Sequence, residues 1–335
     1  GVVRIQNYSS GFMLPTFVDQ VLATQLLGTT AILTTTNEEV LQVTALLLQN
    51  GRPAHMISAQ QGFHLRHLRE LTAFTDIVCK NADKEFGFIH NRAWAEAKLD
   101  IEHQFQDSKN IDLVQRILRA FDREFNRKYK VEWMQFLSEL RIEDFYFPEQ
   151  EKILVSTMHK SKGKEFDNVF VYLDGYRPTT DERKRLLYVA MTRAKQHLEI
   201  HTNTTIFDAI SVESLERQQR TAAKQPPRQI VLTCGLRDVN LALFQSDVVQ
   251  ETLPHLHAGT ELRFDYNPSG LLYTHGKKAV CAFSKSFQTR LDAYMKKGYR
   301  IRRITVDYMV WWKSPDGGAP VLVVLPYVEM IRVMG

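Results

Sequence analysis

Residues 153–195 read ILVSTMHKSKGKEFDNVFVYLDGYRPTTDERKRLLYVAMTRAK, and this stretch decides the fold. The apolar runs 153–157 and 169–173 predict two buried strands. Between them a loop sets Gly163 among Lys160, Lys162 and Lys164. Over 180–195, Leu186, Leu187, Val189, Ala190 and Ala194 predict a nearly buried helix, and Thr179 with Glu182 three residues on has capping-box spacing. A strand over 197–202 follows. Strands linked by crossovers imply a parallel sheet, whose ligands bind outside the carboxyl ends of its strands.

The pattern repeats upstream. AILTTTNEEVLQVTALLLQNGRPAHMIS, residues 31–58, reads strand, helix, strand. Thr36 caps the helix with Glu39 as reciprocal partner. Val40, Leu41, Val43, Leu47 and Leu48 form its buried stripe, and Gly51 then Pro53 end it. Residues 75–148 differ: Ile111, Val114, Leu118, Phe121 and Phe125 have helical spacing. This segment reads as a helical insertion, with Trp94 and Trp133 as core. ERQQRTAAKQPPRQ, residues 216–229, is polar with paired prolines and marks a linker at 218–228. Beyond it short apolar runs and turn signals predict a β-rich, barrel-like domain over 229–335, with one helix stopping at Gly298.

The chain has 335 residues, 44% hydrophobic and 24% charged, which suits two globular domains. It shows no secretory signal and no apolar run of membrane-spanning length, so no membrane partner is expected. Cys79, Cys234 and Cys281 lack metal-ligand spacing; no metal site is expected, and a reducing cytoplasmic location fits. The formal charge is +5, and residues 226–335, with 14 Lys/Arg against 9 Asp/Glu, hold all of that excess. A polyanion partner there and an ordinary basic surface are both consistent with it.

In the opening stretch, Gly163 permits a tight turn and close approach to a ligand. Lys160, Lys162 and Lys164 suit phosphate oxygens. Thr157, Ser156 and His159 offer uncharged hydrogen bonds, and Glu165 can accept from hydroxyls such as those of a ribose. A solvated basic hairpin fits the same residues. Arg193, at the helix end, either complements the helix dipole or reaches a transferring phosphate. In the tail, basic residues from Lys277 to Lys313 alternate with Phe283, Phe287, Tyr294, Tyr299, Tyr308, Trp311 and Trp312. That texture suits single-strand binding by stacking, or a β core with a basic coat.

STMHKSKGKEFDNVFV and DERKRLLYVAMTRAKQHLEI together resemble motifs V and VI of UvrD/Rep/PcrA-type superfamily 1 helicases. RIQNYSSGFML at the start resembles motif IV, through Gln6, Asn7, Tyr8 and Ser10. The resemblance covers roughly residues 4–74 and 149–210. It implies an α/β fold: a discontinuous second RecA-like domain of P-loop NTPase type (1–74 and 149–217), with 75–148 as a shortened helical subdomain. It implies that Arg193 is the arginine finger at the γ-phosphate and that Glu165 contacts the ATP ribose. Gly163, Tyr8 and Gln6 fall among the cofactor-binding positions, and Thr157, His159, Lys160 and Lys162 among those tracking DNA, single-stranded or duplex. Tyr188 and Thr192 match supporting positions.

Three departures accompany the match, the smallest being Lys164 where the family usually has Leu. Ser9 stands where the family has a phosphate-contacting Arg. No G-x-x-x-x-G-K-[ST] occurs in the 335 residues, so the ATP cradle and the Mg²⁺ ligands are expected on an N-terminal RecA-like domain outside this sequence. The sequence thus reads as the C-terminal half of an ATP-dependent helicase or translocase, inactive alone. The alternative is a non-catalytic RecA-like scaffold carrying a binding β-domain.

Overall fold

Strand β6 (Ile153–Thr157) is buried at every position, as a central parallel strand should be. In the computed structural model it lies between β2 (Thr30–Thr34) and β3 (Ala54–Ile57). The sheet continues through β7 (Phe166–Leu173), β8 (Ala194–Thr202), β1 (Val2–Tyr8) and β9 (Leu215–Arg220). The order is β3-β6-β2-β7-β8-β1-β9, and all the pairs are parallel. This is the RecA-like α/β sheet the sequence predicts. The structure describes residues 1–9, 11–25, 27–57, 63–140, 153–212, 215–266 and 268–333.

Side-chain alternation sorts the strands onto two cores. Ala31, Leu33, Leu154, Val169 and Val171 pack with Leu187 and Ala190 of α7 (Asp181–Met191). Ile32, Ile153, Val155, Phe170 and Tyr172 pack on the other face, against α1 (Met13–Ala23) and α2 (Asn37–Gln49). The capping box of α2 forms as the sequence predicts: Glu39 N–H donates to Thr36 Oγ1 at 3.2 Å and Thr36 N–H to Glu39 Oε2 at 2.8 Å. Such a cap is worth about 1 kcal/mol. Leu48 is 54% exposed, so the buried stripe is Val40, Leu41, Val43 and Leu47, with Thr44 beside them.

The second motif-bearing helix is shorter than its apolar pattern predicts. Its cap is Thr180, which accepts from Arg183 N–H, and it stops at Met191. Ala194 belongs to β8, paired with Phe166, so Thr192 and Arg193 form the turn between helix and strand. At the other edge, the polar stretch expected to be a linker begins as strand β9, parallel to β1. An edge strand whose middle residues, 216–219, are exposed shows no apolar alternation, so its polar sequence conceals it.

The chain divides into two compact units, residues 1–59 with 146–231 and residues 60–145 with 232–335. In the second, α3 (Arg69–Lys80), α4 (Asn91–Gln104), α5 (Ile111–Glu124) and α6 (Lys130–Glu139) surround an aromatic core. Trp133 is fully buried there, 5.0–5.5 Å from the rings of Phe74, Trp94 and Phe121. Two short strands, β4 (Phe88–Ile89) and β5 (Lys128–Tyr129), pair beside it. The remaining strands are β10 (Gln229–Thr233), β11 (Glu261–Phe264), β12 (Leu271–Tyr273), β13 (Ala279–Ala282), β14 (Tyr299–Trp312) and β15 (Val321–Arg332). They form a half-open sheet in the order β10-β15-β14-β11-β12-β13, accompanied by α8 (Asp247–Thr252) and α9 (Lys285–Lys296). The helical stretch packs on this sheet: Asn110 Nδ2 donates to the Asp307 carbonyl at 3.1 Å, and Arg69 Nη1 to that of Leu256 at 2.7 Å. No helix among the described residues is long and apolar enough to cross a membrane.

Candidate nucleotide and nucleic-acid edges

The loop after β6 begins at the carboxyl edge of the sheet and ends at the amino edge, because β6 and β7 run parallel. This splits the predicted site residues into two groups. Thr157, buried, closes β6; a 3-10 turn, Met158–Ser161, follows and carries exposed His159 and half-buried Lys160. Ser161 Oγ donates to the Met158 carbonyl at 2.7 Å and fixes that turn. Lys162 and Gly163 are exposed on the descending limb. Gly163 sits at φ +83, a left-handed conformation that L side chains rarely adopt, though a Cβ there would meet nothing.

His159 lines a cleft of about 350 Å³ at the carboxyl edge. Thr35 follows β2, Asp174 and Arg177 follow β7, and Arg183 comes from the first turn of α7. Asp174 is oriented by Asn203, whose Nδ2 donates to it at 2.6 Å. Arg183 donates to the Arg177 carbonyl at 3.1 Å and lies over the Tyr176 ring. Sequence reasoning missed Thr35, Asp174, Arg177 and Arg183. The signal was available, since each belongs to a loop or helix start that follows a parallel strand.

Arg193 and Glu165 meet at the amino edge. Arg193 Nε donates to the Val189 carbonyl at 2.9 Å and Nη1 to the Lys164 carbonyl at 3.3 Å, while Phe166 N–H donates to the Arg193 carbonyl at 2.9 Å. Among the described residues no carboxylate pairs with this guanidinium. Backbone oxygens thus position it without neutralising it. Glu165 is 61% exposed and lies 3.8 Å from Lys195, itself 53% exposed. An exposed pair at that distance is worth little, so the carboxylate stays available.

Gln6 and Tyr8 do not join that edge. Both are buried along β1, and Tyr8 closes the strand at the carboxyl side. Gln6 Nε2 donates to Glu199 Oε1 at 3.0 Å and its Oε1 accepts from Arg220 Nε at 2.8 Å. Tyr8 OH and His201 Nδ1 share a hydrogen bond of 2.8 Å. Ser9 Oγ accepts from the Ala222 amide at 3.4 Å.

Glu199 sits between His197 (3.2 Å) and His201 (3.1 Å). Burial lowers the pKa of both imidazoles, although Glu199 pulls the other way. Burial would raise Glu199, but its contacts with His201 and Gln6 hold it below its ordinary value. The unfolded imidazoles take up protons near pH 6.5, the folded ones only lower. Their stabilisation is therefore complete above about pH 6.5 and is lost as the pH falls, with Glu199 adding to the same trend further down. The urea midpoint should fall between about pH 7.5 and 5.5, and His201→Gln should flatten that fall. A wild-type midpoint constant over this range would exclude the imidazoles as its source.

Among the described residues no group of His, Cys, Asp or Glu is placed to hold a metal ion. The three cysteines are unpaired.

Residues 70–205 match the UvrD-like helicase C-terminal domain family. Over 134 residues the chain is 34% identical to the "Probable DNA helicase II homolog" of Mycoplasma capricolum subsp. capricolum, a stretch covering 35% of this chain and 19% of that protein. Over 90 residues it is 33% identical to the "Putative ATP-dependent DNA helicase YjcD" of Bacillus subtilis (strain 168), covering 22% of this chain and 12% of that protein. The matches thus span less than a fifth of either relative. Both motif-bearing segments, with Glu165 and Arg193, fall inside the family match, and the chain contains a UvrD-type helicase C-terminal portion.

Proposed function

We propose that this chain is the C-terminal part of an ATP-dependent DNA helicase or translocase, and that its amino edge forms one wall of a shared nucleotide site. The other wall would be an N-terminal RecA-like domain bearing the P-loop and the Mg²⁺ ligands. ATP bound there supplies the phosphoryl group whose hydrolysis drives movement. Arg193 would stabilise charge on that phosphate and Glu165 would accept from the ribose hydroxyls. One observation carries this reading: a guanidinium that no described carboxylate pairs with and an exposed carboxylate share one edge, joined through the Lys164 carbonyl.

The loop of Thr157, His159, Lys160 and Lys162 would track DNA, single-stranded or duplex, and transmit its position to Arg193, because one segment runs from edge to edge. Lys162→Glu should weaken binding of single-stranded DNA and reduce the slope of log K against log salt by about 0.7, the equivalent of one phosphate no longer neutralised. An unchanged slope, read by anisotropy of a labelled strand, would remove Lys162 from the DNA path. Ser9 favours the second reading, a scaffold without turnover, because no cation stands at that position. Measurable DNA-stimulated hydrolysis by the chain joined to its P-loop partner would eliminate the scaffold. The unpaired cysteines suit the reducing cytoplasm in which such an enzyme would work.

A further inference from the structure

The second unit holds a cavity of about 790 Å³, within the range of ligand sites. It lies where β14 ends, at Trp311 and Trp312, which together with Phe63 supply flat apolar walls. Trp94 and Trp133 are core, but Trp311 and Trp312 are only half-buried. Phe63 is held against Tyr308, ring centroids 5.3 Å apart.

The charged lining is Arg66 and Lys313 with one acid, Asp76, beside the imidazoles of His64 and His67. Arg66 Nε donates to His67 Nε2 at 3.2 Å, and the His64 and His67 rings lie 6.4 Å apart. Burial lowers the His67 pKa, and Arg66 and His64 lower it further. Among the described residues no carboxylate lies within ion-pair distance of Arg66 or Lys313. Two cations, Arg66 and Lys313, set around stacking surfaces and opposed in the lining by the single acid Asp76, are complementary to a base and its flanking phosphates.

We propose that this cavity binds an unpaired stretch of a single-stranded nucleic acid, one or more bases stacked on Trp311 or Trp312 and the phosphates on Arg66 and Lys313. The site is separate from the loop of Lys162 and does not rest on the nucleotide-edge reading. The excess positive charge of residues 226–335 favours a strand over a single nucleotide.

The test is tryptophan fluorescence of the 335-residue chain during titration with a short oligothymidylate and, in parallel, with thymidine monophosphate. The oligonucleotide should quench the emission. Trp312→Ala should weaken binding by about 5- to 150-fold, the equivalent of one stacked base. Arg66→Glu with Lys313→Glu, both exposed, should weaken it at least as much and flatten its salt dependence. Because those two substitutions leave the β14 packing intact, they test the site even where Trp312→Ala does not fold. Quenching of unchanged affinity in both variants overturns the proposal. Equal affinity for thymidine monophosphate overturns the assignment to a strand. The Lys162 salt slope and this quench read different units, so either reading can fail alone.

Discussion

Arg193→Ala, in the chain joined to a P-loop-bearing partner domain, should lower DNA-stimulated ATP hydrolysis by about 10³- to 10⁵-fold. The size follows from where the charge sits. Three hydrogen bonds, to the Val189 and Lys164 carbonyls and to Thr192 Oγ1, aim the guanidinium, and among the described residues no carboxylate cancels it. Those bonds are part of the fold, yet each contributes only about 1 kcal/mol and the side chain is only half-buried. The melting temperature should therefore fall by a few degrees while activity collapses. Arg193→Lys should restore little, since an ammonium cannot reproduce the planar fork that spans two carbonyls. Near-wild-type turnover in Arg193→Ala would take this residue out of catalysis and leave it the helix-end role its position also permits.

Trp133→Ala should destabilise the second unit by about 3–5 kcal/mol, a large share of the roughly 5–15 kcal/mol typical of a domain. The indole is fully buried and is encircled by Phe74, Trp94, Phe121 and Phe136. Its Nε1 donates to Thr75 Oγ1 at 3.1 Å, so deletion removes a half-buried hydrogen bond as well as volume. Helices α3, α4, α5 and α6 all contribute to the ring cluster, and no single neighbour can fill the space. Trp133→Phe should recover most of the loss. Guanidinium denaturation followed by circular dichroism gives the difference, and a cost below about 1 kcal/mol would mean that the rings do not pack as described.

The parallel sheet and the motif-bearing segments were legible because their signals are local. Ile153–Thr157 is apolar without alternation, and Thr36 with Glu39 spells a cap within four residues. What stayed hidden depends on distant partners. Gln6 and Tyr8 look like ligand-binding groups until Glu199 and His201, 193 residues away, are seen to hold them. The helical stretch resembles a free insertion because its anchor, the Asp307 carbonyl, lies 197 residues beyond Asn110. Strand β9 offers little hydrophobic signature beyond Leu215, since its residues 216–219 face water. The carboxyl-edge cleft was half visible: His159 stands out by its motif, whereas Asp174 and Arg177 are ordinary loop residues until the topology brings them beside it.

Strand β1 lies between β8 and β9, whose sequences come roughly 200 residues later. At about 5–20 residues per second a ribosome needs about 10–40 s to deliver them. During that interval the nascent segment has neither of its lateral neighbours, and its Ile5 and Tyr8 have no sheet to bury them. Closure of this sheet must therefore wait until residues 194–220 have been made, and a holding chaperone has a defined window in which to protect β1.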